Sequence, residues 1–162
     1  ILPPVFDVAD LEQARQFRAT LTKTSTYFDA LAAEATDPED QKRFQADADS
    51  LIHAAPLPLA QERQGFVSSD VGDVSWNCPV AQINASTMPA GVAMHSWQMV
   101  AVGKSPMAKK GMLYAAKVMA GSAIDALEDQ SILRRAQEEL YRRTGGQKYD
   151  SPIPSDVKPH IS

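Results

Sequence analysis

The stretch MAKKGMLYAAKVMAGSAIDAL, residues 107–127, predicts a long helix with many small side chains. These small residues are Ala108, Gly111, Ala115, Ala116, Ala120, Gly121, Ser122, Ala123 and Ala126. A helix with so little side-chain bulk can approach a sheet or another helix closely. A second helix is predicted over residues 130–143, because Gly145 and Gly146 just beyond it supply the left-handed stop that often ends a helix.

The first third of the chain is predicted to be mostly helical. Asp7 can cap a helix over residues 8–22, in which Asp10 occupies the third helical position. The run Asp-Pro-Glu at 37–39 is typical of a cap, a first-turn proline and a first-turn acid. Pro56 should end the helix that follows, because proline cannot continue the helical hydrogen-bond ladder.

The middle third, residues 65–104, differs in composition from the helical parts. It is rich in glycine, proline, serine, valine and asparagine, and its short apolar runs Gly-Phe-Val at 65–67 and Val-Ala-Gln-Ile at 80–83 suit strands between turns. We therefore predict an α/β fold with helices packed on a small mixed sheet. The expected organisation is mostly helical over 1–60, strands and loops over 65–104, and two helices over 107–144.

Composition is typical of an ordinary soluble globular protein. The chain has 162 residues, of which 44% are hydrophobic and 22% charged, and its net charge is -4. Such mild acidity gives no electrostatic reason to expect a nucleic acid or an anionic membrane as partner. Cys78 is the single cysteine and cannot form an internal disulfide, and no apolar run has the length of a membrane span. We expect a cytoplasmic protein whose partners are small molecules or other proteins.

Three histidines are candidates for metal binding or proton transfer. His53 is expected at the end of a helix, where a structural role is the better interpretation. His160 lies close to the end of the sequence, where terminal disorder is expected. His95 differs, because it follows a turn in the run PAGVAMHSWQ at 89–98. Spacing alone still favours a structural histidine over a ligand, since no histidine, cysteine or carboxylate stands three or four residues away. A metal at His95 would need ligands from elsewhere.

Acidic residues cluster before His95, in the run SSDVGDVSW at 68–76, where Asp70 and Asp73 flank a glycine. Taken alone, the run is also compatible with a plain Asx-type turn, and a calcium loop would need a longer series of ligands. The pair Glu138-Glu139 resembles the paired acids of hydrolytic metal sites. Arginines four residues before and after the pair favour ion pairs on a solvated helix face instead.

Four motifs in combination resemble a known enzyme family. They are SDVGDVSW at 69–76, HSWQ at 95–98, GKS at 103–105 and KGMLYAAK at 110–117. With them the chain resembles the carboxyl-terminal region of the aminobenzoyl-glutamate hydrolases of the utilisation protein B type, within the aminoacylase and carboxypeptidase group of dinuclear metallopeptidases. The run RRTGG at 142–146 is also similar, so the resemblance spans nearly the whole chain.

The resemblance implies a catalytic domain that holds two divalent metal ions, zinc or manganese. The family's last ligand is a histidine in a His-Ser motif, so the implied metal ligand is His95, with Ser96 beside it. Asp70 and Asp73 correspond to an acid-rich loop near the site, where Asp73 would orient a ligand or close the pocket. The implied reaction is hydrolysis of the amide bond of an N-acyl amino acid such as p-aminobenzoyl-glutamate, with metal polarising the carbonyl.

Other parts of the family's site have no counterpart in this sequence. The early His-x-Asp motif, the bridging acid, the general-base glutamate and the inserted dimerisation domain are missing. We therefore expect the chain alone to be inactive, and the amino-terminal half of the same enzyme to complete the site, within a homo- or hetero-oligomer. The alternative is a non-catalytic interaction or subunit module that retains the family fold.

Overall fold

The computed structural model describes residues 1–22, 29, 32–33, 35, 37–48, 50–54, 69–154 and 156–157. Its bounded helices, in chain order, are α1 (Val8–Arg18), α2 (Pro38–Ala48), α3 (Val71–Asn77), α4 (Trp97–Val102), α5 (Pro106–Glu128) and α6 (Gln130–Thr144). The chain divides into two compact units. The first comprises Ile1–Ala60 and Ile83–Gly121, and the second comprises Gln61–Gln82 and Ser122–Ser162.

The predicted α/β fold, with helices packed on a small mixed sheet, is wrong: the described residues are helical and contain no strand. The run at 80–83 has no regular secondary structure. Four residues carry only a weak strand preference, and a strand forms only when a neighbouring strand accepts and donates its backbone hydrogen bonds. The run at 65–67 lies outside the described residues. Residues 71–77, inside the predicted strand region, form helix α3.

Helix α1 begins as predicted. The Asp7 side chain accepts a hydrogen bond from the Asp10 backbone N–H at 3.0 Å, and the Asp10 side chain accepts one from the Asp7 N–H at 3.0 Å. This reciprocal pair satisfies two N–H groups that a helix start leaves without partners. The helix ends at Arg18, four residues before the predicted end. The Thr20 hydroxyl and backbone N–H both donate to the Phe17 carbonyl oxygen, which closes a tight turn there.

Helix α2 also begins as predicted, with Pro38 as its first residue. Its start is capped by Asp37, whose carboxylate accepts the Glu39 backbone N–H at 2.8 Å. The helix ends at Ala48, well before Pro56, which lies outside the described residues. His53 therefore follows the helix rather than ending it, contrary to the prediction. Its Nδ1 lies 3.0 Å from the Ser50 hydroxyl oxygen.

The core of the first unit joins three helices. Its buried residues are Ala14 of α1, Ile52, Val102 of α4 and Met107 of α5. The partly buried side chains of Phe6, Leu11, Phe17, Leu51 and Met88 pack against them. Removing these apolar surfaces from water is the main force that holds α4 against α1 and α5. This core fixes the position of the loop that leads into α4.

Helix α5 confirms the predicted small-residue helix, and Gly111 shows why small residues are needed. A Cβ atom at Gly111 would lie 2.0 Å from the Ser86 carbonyl oxygen and 3.0 Å from the Thr87 methyl group. The backbone at 86–87 therefore lies directly against the helix. The element that approaches so closely is an irregular segment rather than the sheet or helix expected from the sequence.

The second unit contains α3, the end of α5 and α6. Helix α6 is capped by Asp129, whose side chain accepts the Ser131 backbone N–H at 2.9 Å. It ends at Thr144, and Gly145 follows as a left-handed cap with φ of 62°, so the predicted stop is confirmed. Within the described part of the chain, no helix combines the length and the apolar character needed to cross a bilayer.

Candidate metal-ligand site around His95

A tight turn comes shortly before His95. The Val92 backbone N–H donates to the Pro89 carbonyl oxygen at 3.2 Å, and Gly91 between them has φ of 86°. This is the geometry of a type II turn, whose third position favours glycine because side chains crowd the backbone there. The Ala90 N–H donates to the Leu51 carbonyl oxygen at 2.9 Å. The loop is thus tethered to the segment that follows α2.

His95 itself has a left-handed backbone, with φ of 60°, and its side chain is exposed. Left-handed geometry is uncommon for residues other than glycine, although histidine tolerates it better than most. Such a conformation persists only where neighbouring structure holds it, and it is found often at binding and catalytic sites. The backbone conformation of His95 is thus a second feature, besides its motif, that marks it as a candidate functional residue.

The Ser96 hydroxyl holds this conformation from both sides. It donates to the Ala93 carbonyl oxygen at 2.7 Å and accepts the Met99 backbone N–H at 3.2 Å. The first bond fixes the chain before His95, and the second caps α4 just after it. Ser96 was predicted as a pocket residue. Its described hydrogen bonds are with backbone groups on either side of His95.

Helix α4 is fixed on α1 by two side chains next to this cap. The Trp97 ring packs against the Phe17 ring, with centroids 6.4 Å apart. The buried Gln98 side chain donates to the Thr20 hydroxyl oxygen at 3.3 Å. These contacts hold α4, and with it the cap at Ser96 next to His95, against α1 and the turn that follows it.

The two predicted aspartates belong to the second unit. Asp70 precedes α3, is exposed, and makes no capping hydrogen bond with its side chain. Asp73 lies in the first turn of α3, and its carboxylate accepts a hydrogen bond from the Tyr149 hydroxyl at 2.6 Å. This bond raises the pKa of Tyr149, because the carboxylate favours the protonated phenol, and partial desolvation acts in the same direction.

Of the predicted site residues, His95 and Ser96 thus lie in the first unit, whereas Asp70 and Asp73 lie in the second. In the second unit, Asp73 is hydrogen-bonded to Tyr149. Tyr149 was not identified from the sequence. It stands 76 residues from Asp73, and no short-range pattern links the two. The left-handed backbone at His95 was also not predicted from the sequence, although the turn before it was.

His95 fits the role of one metal ligand. Its imidazole is exposed, and no hydrogen bond within the described part of the chain engages the ring. A neutral imidazole nitrogen is a common ligand of zinc. A complete site needs three or more such groups, and the described residues contain no cluster of three or more histidine, cysteine, aspartate or glutamate side chains that could hold a metal.

Comparison with known proteins gives one informative match. No family model and no solved structure matches the chain. It is, however, 36% identical over 159 residues to one of the subunits of p-aminobenzoyl-glutamate hydrolase from Escherichia coli (strain K12). The chain is similar in sequence to this hydrolase subunit over nearly its whole length. The predicted resemblance is therefore confirmed. The match covers 96% of the chain, which spans about a third (33%) of the length of this relative.

Proposed function

We propose that the chain contributes His95 as one ligand of a divalent metal, zinc or manganese, in an amidohydrolase acting on N-acyl amino acids such as p-aminobenzoyl-glutamate. The observation that carries the proposal is the 36% identity over 159 residues to a protein named for hydrolysis of p-aminobenzoyl-glutamate. The remaining ligands would come from the amino-terminal half of the same enzyme, working in the cytoplasm. The chain alone would be inactive.

The residues of the described loop would act by positioning. His95 would donate a ring nitrogen to the metal from an exposed, left-handed turn, and Ser96 would keep that turn in place through its two backbone hydrogen bonds. A ligand held in one orientation loses little freedom when the metal binds, which strengthens binding. When bound, the metal would supply polarisation of the amide carbonyl.

A second interpretation is a non-catalytic subunit module. The name of the relative describes one subunit of a hydrolase, and the described residues hold no complete metal cluster. The same name supports our proposal that the protein works in an oligomer. The two interpretations differ in whether the assembled protein binds metal through His95.

The test uses the complete gene product that carries this sequence. Zinc and manganese are measured by mass spectrometry, and hydrolysis of p-aminobenzoyl-glutamate is followed by chromatography. His95→Asn should lose metal and activity while the circular dichroism spectrum stays unchanged, because asparagine tolerates left-handed geometry. His53→Asn is the matched control and should keep both. Unchanged metal content in His95→Asn, or a wild-type protein without metal and amidase activity, would exclude the proposal.

A further inference from the structure

An apolar groove of about 220 Å³ lies in the first unit, between α4, α5 and the segment at 87–88. Three methionines line it, one from each of these elements: Met88, Met99 and Met112. Val102 and Ala108 also line it and are only 1% and 6% exposed, so they form its base. Met112, in contrast, is 58% exposed. We call this feature the methionine groove.

The methionine groove has the size and chemistry of a seat for an apolar side chain. Small-molecule sites usually enclose about 300–1,000 Å³, so the groove is too small for most ligands. Methionine side chains are apolar, unbranched and flexible, and they are common on surfaces that accept apolar side chains of a partner protein. Covering the exposed thioether of Met112 would remove apolar surface from water, which is favourable.

The groove lies close to the candidate metal ligand. Met99 follows His95 by four residues, and its backbone N–H donates to the Ser96 hydroxyl oxygen at 3.2 Å. Because consecutive Cα atoms are about 3.8 Å apart, this bond keeps the backbone of Met99 within about 10 Å of that of His95. A polypeptide that brings further metal ligands to His95 therefore passes next to the methionine groove.

We propose that the methionine groove seats an apolar side chain from the amino-terminal part of the same polypeptide. The chain spans 33% of the length of its relative, so about two thirds of that protein lies outside the match. A segment of the same polypeptide has a high effective concentration at the groove, so it docks in preference to a separate molecule. This inference rests on the proposed function, which brings the same part of the polypeptide to His95.

Oxidation of the complete gene product with hydrogen peroxide tests whether the groove is covered. Met112 and Met119 both lie on α5 and are 58% and 63% exposed, but Met119 does not line the groove. With an open groove, the two thioethers should become sulfoxides at similar rates, because oxidation follows exposure. A seated side chain should slow oxidation of Met112 at least about tenfold relative to Met119, measured by peptide mass spectrometry. Equal rates would overturn the proposal.

Photo-cross-linking of the complete gene product identifies what covers the groove. Lys109 lines the groove and is exposed, so a benzophenone amino acid at this position can reach the occupant. The cross-linked product should keep the mass of one polypeptide, and the linked peptide should come from the part that precedes these 162 residues. A product with the mass of two copies, or a link to a different subunit, would show that the proposal is wrong.

The docking surface and the metal site can be tested separately in the same preparation. Slow oxidation of Met112 in a protein that holds no metal would exclude the proposed function and support the docking surface. Equal oxidation of Met112 and Met119 in a protein that loses its metal in His95→Asn would exclude the docking surface and support the proposed function.

Discussion

Lys110 of α5 forms an ion pair with the carboxylate of Asp10, which is only 2% exposed in α1. The Lys110 Nζ also lies 2.8 Å from the Asp7 carboxylate, so one ammonium group contacts both members of the capping box. The two helices are about a hundred residues apart in the chain. This contact fixes the start of α1 to α5 and neutralises a buried charge.

Replacing Lys110 with methionine should lower the melting temperature. The substitution keeps the length and apolar part of the side chain but leaves the Asp10 carboxylate buried without its cation, which is strongly unfavourable. Lys109→Met is the control, because Lys109 is exposed, and its stability should change by no more than about 0.5 kcal/mol. Equal effects of the two substitutions, measured by thermal unfolding, would show that the ion pair does not matter.

The same contact should make stability depend on pH in acid. The pKa of Asp7 is lowered from 3.8, first by the hydrogen bond from Lys110 and next by the backbone N–H of Asp10. A carboxyl group with a lowered folded-state pKa stabilises the fold above its unfolded pKa, and this contribution is lost as pH falls through the folded value. Urea unfolding between about pH 5 and pH 3 should therefore show a shallower loss of stability in Lys110→Met than in the wild type. Parallel curves for the two proteins would contradict this.

Gly111→Ala should destabilise the protein by about 1–3 kcal/mol, because the new Cβ overlaps the Ser86 carbonyl oxygen and the backbone must move. Gly72→Ala is the control, and it should increase the free energy of unfolding instead of lowering it. A Cβ at Gly72 would have no atom within 4 Å, and alanine is about 0.5–1 kcal/mol more favourable than glycine inside a helix. Chemical denaturation of both variants measures the difference. A stabilising Gly111→Ala would mean that the segment at 86–87 does not lie against α5.

Asp73→Asn should lower the pKa of Tyr149 towards its usual value of 10.0, because the hydrogen bond to the Asp73 carboxylate is the largest cause of its rise. An acid with a raised folded-state pKa stabilises the fold below its unfolded pKa, and this contribution is lost as pH rises through the folded value. Ultraviolet titration of the tyrosines measures the shift. Asp70→Asn should leave the Tyr149 pKa unchanged, and a shift of equal size there would disprove the specific contact.

Ser96→Ala should cost about 1 kcal/mol of stability, because α4 loses its cap. If His95 is a metal ligand, as proposed, the same substitution should also weaken metal binding by the complete protein, because Ser96 holds the turn at His95. Ser105→Ala is the matched control. The Ser105 hydroxyl oxygen accepts the Ala108 backbone N–H at 3.1 Å at the start of α5, so its loss should cost similar stability without affecting the metal. Equal metal affinity in the two variants would show that Ser96 does not position His95.

The sequence by itself determined the local features of this protein. The capping box of Asp7 and Asp10, the start of α2 at Pro38 and the stop at Gly145 were all predicted correctly. Each depends on hydrogen bonds or backbone geometry within a few residues, so the neighbouring side chains are sufficient to specify it. The motifs around His95 likewise revealed the resemblance to a hydrolase family without any structure.

Only the tertiary structure decided the features that require distant residues. The apolar run at 80–83 had the composition of a strand, but a strand needs a hydrogen-bonding partner, and composition cannot show whether one is present. The hydrogen bond between Asp73 and Tyr149 likewise joins residues 76 positions apart, and no pattern in the sequence links them. Contacts of this kind form when folding brings separate segments together, so their partners are known only once the chain has folded.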